Sequence, residues 1–398
     1  MAGKGVKEAK AKAEGESVLP LPAALLGDHL PTLQKPMEHW ASTGRVAPVL
    51  LVTGPEGSGK RAICHYLAQW LLCERSPFAG ESSTPSEEED GGGMLDMFGG
   101  PPTAAAPATP AAPLMAPCGE CTSCRRAVDG NWIDFREISP EATDDGRPGS
   151  LKIEQFRDLK ASQGFGAHQG AFRITLIRDA DRMTVQAANS LLKLLEEPPP
   201  GWILLLTAAD ASLLLPTLIS RCQRIRLSPL TEQTLLTLLA SKGVPDGRRQ
   251  ICAKLAKGSW GRALALATDE IWERRGKLFR FFKEPQSELN DLVDWAASEP
   301  SHFTLLMDQM EQALCDLIAW SLAAIDGRAA NYLWQNSDQE LALKRHAEAA
   351  AASLGGPQGA KEFWLGCFDS LSEIRRRSNA PLNRKLLAQQ LLFPWMEL

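Results

Sequence analysis

The residues GPEGSGKRA, Gly54 to Ala62, nearly complete a phosphate-binding loop. Gly54 is followed by four residues and then by Gly59 and Lys60, with Gly57 inside the loop. In such a loop the glycines let backbone N–H groups and a helix start aim at phosphates, and the lysine reaches the outer ones. The next residue should offer magnesium a hydroxyl. Here it is Arg61, and a guanidinium cannot ligate a cation. A second constellation is CGECTSC, which sets Cys118, Cys121 and Cys124 in two overlapping C-x2-C steps. Thiolates at that spacing suit zinc, which needs a fourth ligand. The rival readings are a glycine turn with a structural lysine, and a set of free thiols.

The loop requires a strand before it and a helix after it. APVLLVTG is a short apolar run ending in glycine, as a buried parallel strand would be, and KRAICHYLAQWLLCE reads as the helix. Upstream, LPTLQKPMEHWASTGR predicts a helix with Leu30, Leu33, Met37 and Trp40 at helical spacing. Downstream, WIDFREI predicts a strand and SLKIEQFRDLKASQ a helix capped by Ser150. AFRITLIRDAD then predicts a strand, TVQAANSLLKLLEEPPP a helix with a proline stop, and GWILLLTAAD a further strand. LLPTLISRC reads as a short helix and QRIRLSPL as the last strand. Strands alternating with helices imply an α/β domain with a parallel sheet. After about Pro229 the strand signals stop and helical patterns continue to the end of the sequence.

The chain of 398 residues is too long for one ordinary core. The expected organisation is a tail at 1–16, an α/β core at 17–228, a small helical domain at 229–284 and a second helical domain at 285–398. Residues 76–117 are rich in Pro, Ala, Gly, Ser and Thr with the acidic run SEEEDGGG, and read as a disordered insertion in the core. Hydrophobic residues make up 44% and charged residues 23%, as in soluble globular proteins. A net charge of −5 gives no global basic field for nucleic acid. The charged, small-residue start has no apolar leader segment, and no run of 18 apolar residues suggests a membrane span. A cytoplasmic location is expected, and nine cysteines in a reducing compartment read as metal ligands or buried thiols.

Four signatures in order, GPEGSGK, the Cys-rich knuckle, LLKLLEEPP (Leu191 to Pro199) and SRC (Ser220 to Cys222), resemble the clamp-loader branch of the AAA+ ATPases. The resemblance runs from about Leu19 to Leu398. It implies an AAA+ P-loop core with a parallel sheet and zinc knuckle, a small helical lid domain and an all-α C-terminal collar domain. It also fixes further positions. After the strand ITLI, the letters ADRMT set the register, which puts Arg178 at the metal-anchoring position and Asp179 at the position that activates water. Thr207 matches the polar residue that senses the γ-phosphate, and Gly261 stands where the lid supplies an arginine, with Arg262 one residue on. Three positions, 61, 178 and 261, thus depart from the active pattern, so weak or absent ATP binding and no intrinsic ATPase are expected. Arg221 of SRC is intact. The resemblance implies that it reaches across a subunit boundary into a neighbour's ATP site, where such a finger is worth roughly 10³ to 10⁵ in rate. A surface or ion-paired arginine is the rival reading. The fourth zinc ligand of the family falls on Cys73, giving a structural site of Cys73, Cys118, Cys121 and Cys124.

What the resemblance implies in function is a non-hydrolysing subunit of the replicative clamp loader of DNA polymerase III, helping to place the sliding clamp on primed DNA. Its partners would be gamma/tau-type motor subunits, the clamp-opening delta subunit, the sliding clamp and, through the complex, primer-template DNA, in a heteropentamer within a nucleotidyltransferase holoenzyme. The alternatives are an ATP-hydrolysing motor subunit of the same machine and a free-standing zinc-containing DNA-binding protein. In the insertion, Met94, Leu95, Met97 and Phe98 have an order similar to peptides that bind sliding clamps, as random linker composition also gives. QQLLF near the end reads as a terminal helix, and Trp295, Trp320, Trp334 and Trp364 as core or interface anchors.

Overall fold

The computed structural model describes residues 21–79, 115–141, 149–161, 171–377 and 383–396. The tail, the Met94–Phe98 cluster and most of the insertion lie outside them. Two compact units are present: one holds the α/β elements up to Ser228, the other the helical segment Pro229–Leu398.

The α/β unit is built on five parallel strands, β1 (Val49–Thr53), β2 (Phe135–Ile138), β3 (Arg173–Ile177), β4 (Trp202–Ala208) and β5 (Gln223–Arg226), in the order β2-β3-β4-β1-β5. Every residue of β4 is buried, as are four of the five in β1 and in β3, which is why these strands read as continuous apolar runs. The edge strands β2 and β5 are half exposed and carry charge, Arg136 and Glu137 on one, Arg224 and Arg226 on the other. One side of the sheet packs on α4 (Ile153–Ala161) and α5 (Val185–Glu196) through Phe156, Leu159, Leu191, Leu194 and Leu195. The N-terminal helix α1 (Ala23–Thr43) lies by β5, where Trp40 Nε1 donates to Gln223 Oε1 at 3.3 Å.

Three local readings change. The first helix starts at Ala23 rather than near Leu30, because Leu25 and His29 extend the buried stripe of Leu33, Met37 and Trp40; Leu30 itself is 41% exposed. Ser150 does not cap α4, which begins at Ile153. Leu151 instead pairs with Met183, and Gln155 Oε1 accepts from the Lys152 N–H at 3.1 Å. The ordered core continues past Ser76 to Ala79, because Phe78 is buried against Trp70 and Phe172.

The helical unit contains α7 (Glu232–Ser241), α8 (Asp246–Leu255), α9 (Trp260–Ala267), α10 (Asp269–Phe281), α11 (Pro285–Ser298), α12 (Pro300–Ile325), α13 (Glu340–Ser353), α14 (Pro357–Arg377) and α15 (Arg384–Leu392). Trp295, Trp320, Trp334 and Trp364 are all buried in it. No helix among the described residues is long and apolar enough to cross a membrane.

Candidate functional site

The loop Gly54–Gly59 leaves β1 and enters helix α2 (Lys60–Leu71). Its glycines are needed for conformation: Gly54, Gly57 and Gly59 have φ of 158°, 74° and 85°. At Gly59 a side chain would also press on Leu25 of α1, with Cβ only 3.1 Å from Leu25 Cδ1. The Lys60 ammonium donates to two carbonyls of its own loop, Gly54 O at 2.7 Å and Pro55 O at 2.9 Å.

The end of β4 brings the second half of the site alongside. Gly54 N–H donates to Ala208 O at 3.3 Å, and Asp179 N–H donates to Thr207 Oγ1 at 3.0 Å. Asp179 is held in the left-handed region (φ 49°), a conformation that Asp tolerates better than most residues. Asp181 Oδ2 accepts from the N–H groups of Ala209 and Asp210, which ties the turn after β3 to the chain after β4.

Arg61 and Arg178 meet on one carboxylate. Arg61 donates to both oxygens of Glu137, from Nε at 2.9 Å and from a terminal nitrogen at 3.2 Å. Arg178 reaches Glu137 Oε1 at 3.2 Å, and His65 Nε2 lies 2.8 Å from Oε2. His65 is wedged by edge-on contacts with Phe135 at 4.9 Å and Trp132 at 6.0 Å. The Glu137 side chain is 19% exposed. Burial pushes its carboxyl up, but the bonds from His65 and Arg61 outweigh this and bring it down to about 2 from 4.5. That shift favours the ionised, folded form by about 3 kcal/mol; the stabilisation is present above pH 4.5 and is lost as pH falls through 2. Beneath the cluster, burial and then the Glu137 charge push the Cys64 thiol up, so Cys64 stays neutral. Glu137 did not stand out in the sequence, because one acidic residue in FREI has no pattern that marks it.

Arg221 stands apart. It follows the short helix α6 (Pro216–Ile219), donates to Thr217 O at 2.7 Å and pairs with Glu196 at 2.8 Å. Both partners are open to solvent, with side chains 36% and 49% exposed. Gly261 and Arg262 belong to the helical unit. There Arg262 pairs with Asp308 at 2.9 Å, which also accepts from Arg375 at 2.9 Å; Arg375 reaches on to Glu311 at 2.7 Å.

Cys73, Cys118, Cys121 and Cys124 come together as expected. Their sulfurs all lie within 4.8 Å of one another, the one such metal-competent group among the described residues. The Cys118–Cys124 and Cys121–Cys73 separations are both 4.0 Å. Four sulfurs around a zinc with bonds near 2.3 Å would stand about 3.8 Å apart, so the cluster fits a tetrahedral ion with no open position. Backbone N–H groups of Cys118, Cys121 and Cys124 donate to the sulfurs at 3.4 to 3.5 Å, and Cys121 caps helix α3 (Thr122–Val128). The neighbouring Cys124 thiol holds Cys73 below the ordinary thiol range, while Cys124 itself is pushed up.

Comparison with known proteins gives relatives along nearly the whole chain. The family described as "DNA polymerase III, delta subunit" matches residues 108–231. DNA polymerase III subunit delta' of Yersinia pestis is 32% identical over 364 residues, covering 89% of this chain and 90% of its own. The subunit delta' of Pseudomonas aeruginosa is 28% identical over 370 residues, covering 90% and 95%. Subunit tau of Escherichia coli is 28% identical over 243 residues, 60% of this chain and 31% of its own. Among solved structures, a gamma subunit-related protein from Thermotoga maritima covers 93% of this chain with a TM-score of 0.43 and 18% identity.

Proposed function

Because the chain belongs to the delta' family of DNA polymerase III subunits, we propose that it is the non-hydrolysing member of the clamp loader and acts on a neighbour's ATP rather than its own. The observation that carries this reading is the pairing of Arg61 and Arg178 on Glu137. Two of the groups that should hold magnesium are guanidiniums, and both are engaged by one protein carboxylate. Asp179 is left without a metal to orient a phosphate chain against the water it would activate. Thr207, the γ-phosphate sensor by register, accepts a backbone hydrogen bond from Asp179. Arg262, next to the position from which the lid would supply an arginine, is engaged by Asp308.

Arg221 is the group offered outward. Its exposed pairing with Glu196 can be exchanged for a phosphate at little cost. In this reading Arg221 completes the ATP site of an adjacent gamma/tau-type motor subunit, in a heteropentamer that also holds the clamp-opening delta subunit and places the sliding clamp on primer-template DNA. The lid (229–284) and collar (285–398) act as separate parts of that assembly. The cysteine cluster holds a structural zinc through Cys73, Cys118, Cys121 and Cys124, and performs no step of the reaction.

The test is the reconstituted complex. The chain alone should not turn over ATP. Arg221→Ala should leave assembly intact and remove the turnover of the one site it reaches, by about 10³-fold or more at that site. Unchanged clamp-stimulated ATPase with the alanine variant would sink the finger assignment, and Mg-ATP hydrolysis by the isolated chain would sink the non-hydrolysing one.

A further inference from the structure

We propose that Glu137 is the resident anion of the degenerate nucleotide site: a tethered carboxylate that occupies Arg61 and Arg178 in competition with the phosphate chain of a nucleotide. The inference rests on the reading that 61 and 178 stand at metal-holding positions, and goes beyond it by saying what keeps the site closed and what would open it.

A loop that has merely lost magnesium would still bind polyphosphate if its new charges were free to receive it. Two guanidiniums beside a lysine at a helix start form a strong polyanion receptor that needs no metal. In this chain that capacity is already used. Arg61 makes a two-point contact with Glu137, the geometry that guanidinium otherwise makes with a phosphate. Arg178 shares Oε1 of the same carboxylate, and His65 Nε2 lies against Oε2. All three side chains converge on one group, which comes from the edge strand β2 and not from the loop itself. Lys60 is turned onto the Gly54 and Pro55 carbonyls. An incoming phosphate must therefore displace Glu137 from both arginines and would meet its negative charge at short range. Magnesium offers no escape, because the two arginines repel it.

The expectation is a reversal of the usual metal dependence. Glu137→Gln keeps the shape and two polar atoms and removes the charge. In EDTA, this variant should bind inorganic tripolyphosphate about tenfold or more tighter than the unaltered chain. Added magnesium should weaken that binding by sequestering the ligand. Adding Arg61→Ala and Arg178→Ala to the variant should abolish the gain. ATP gaining no more than tripolyphosphate would place the new affinity in the phosphates alone, and a larger gain with ATP would add base contacts; either supports a polyphosphate site. Glu137→Gln binding no tighter than the unaltered chain in EDTA, or only with magnesium, would overturn the proposal while leaving the silent ATPase intact. Hydrolysis by the unaltered chain would instead remove the reading beneath it. Circular dichroism establishes that the variant is folded. If it is not, Glu137→Asp decides: its shorter carboxylate cannot reach both arginines, so an intermediate gain is expected and no gain overturns the proposal.

Discussion

Acid should loosen the helical unit through one histidine. His346 of α13 packs in one aromatic cluster with Phe282, Trp364 and Trp395, at 5.5, 5.4 and 5.7 Å, and its buried Nε2 has no hydrogen-bond partner among the described residues. Burial lowers its imidazole to about 4 from 6.5, with no charged group contributing. The sign follows directly. The folded state resists the proton, so the unfolded state takes it first. Full stability is kept above pH 6.5 and is lost as pH falls from 6.5 to 4. At pH 5 the loss from these two values is about 2 kcal/mol. The aromatic faces would hold an imidazolium by about 1 kcal/mol, so the expected loss is about 1 to 2 kcal/mol. A protein of two units need not unfold in one step, so a local readout is required. Amide hydrogen exchange of peptides from α13 and α14, compared at pH 7.5 and 5 after correction for the intrinsic rate, should show about 5- to 30-fold more opening at pH 5. His346→Phe keeps an aromatic plane in the stack and cannot titrate, so its α13 protection should not change between the two pH values. Equal acid loss in both proteins would refute the assignment. The Glu137 cluster does not interfere, because its stabilisation is lost mainly below pH 4.5.

Two further outcomes test the remaining charged and metal-competent groups. Asp308→Asn leaves Arg262 and Arg375 facing a neutral amide at a buried position, and should cost about 1 to 3 kcal/mol in thermal or urea unfolding of the helical unit; a change below about 0.5 kcal/mol would mean that the pair of arginines is held by something else. Freshly purified chain should carry close to one zinc; Cys121→Ser or prolonged chelation should remove it and release the hydrogen-exchange protection of α3 while the far-UV signal of the sheet persists, and a full zinc content in the serine variant would exclude Cys121 as a ligand.

How much of this is legible in the sequence depends on how far a residue's meaning travels along the chain. The strands β1, β3 and β4 are legible because both faces are buried, and a buried strand must be apolar at every position. The phosphate loop and the CGECTSC knuckle are legible because their geometry is set within a few residues. Ser150 and Leu30 mislead because tertiary pairing decides those positions: Leu151 bonds to the chain near Met183, and the buried stripe of α1 passes Leu30 by. Glu137 is invisible for the same reason. Its partners lie 76, 72 and 41 residues away, and nothing in FREI announces them. The Arg262–Asp308 pair likewise spans two helices whose contact no periodicity encodes.

The charges nevertheless sort the arginines by use. Arg61 and Arg178 side chains are 23% and 26% exposed on a carboxylate only 19% exposed, and Arg262 pairs with an Asp308 side chain only 10% exposed. Breaking such partly buried clusters strands a charge, which costs several kcal/mol. Arg221 and Glu196 are 36% and 49% exposed, and a surface pair of that kind is worth about 1 kcal/mol or less. Displacing Glu196 from Arg221 therefore costs less than displacing Glu137 from Arg61 and Arg178. The same residue type is fixed at one site and exchangeable at the other, and the difference lies in solvent exposure of the partner carboxylate.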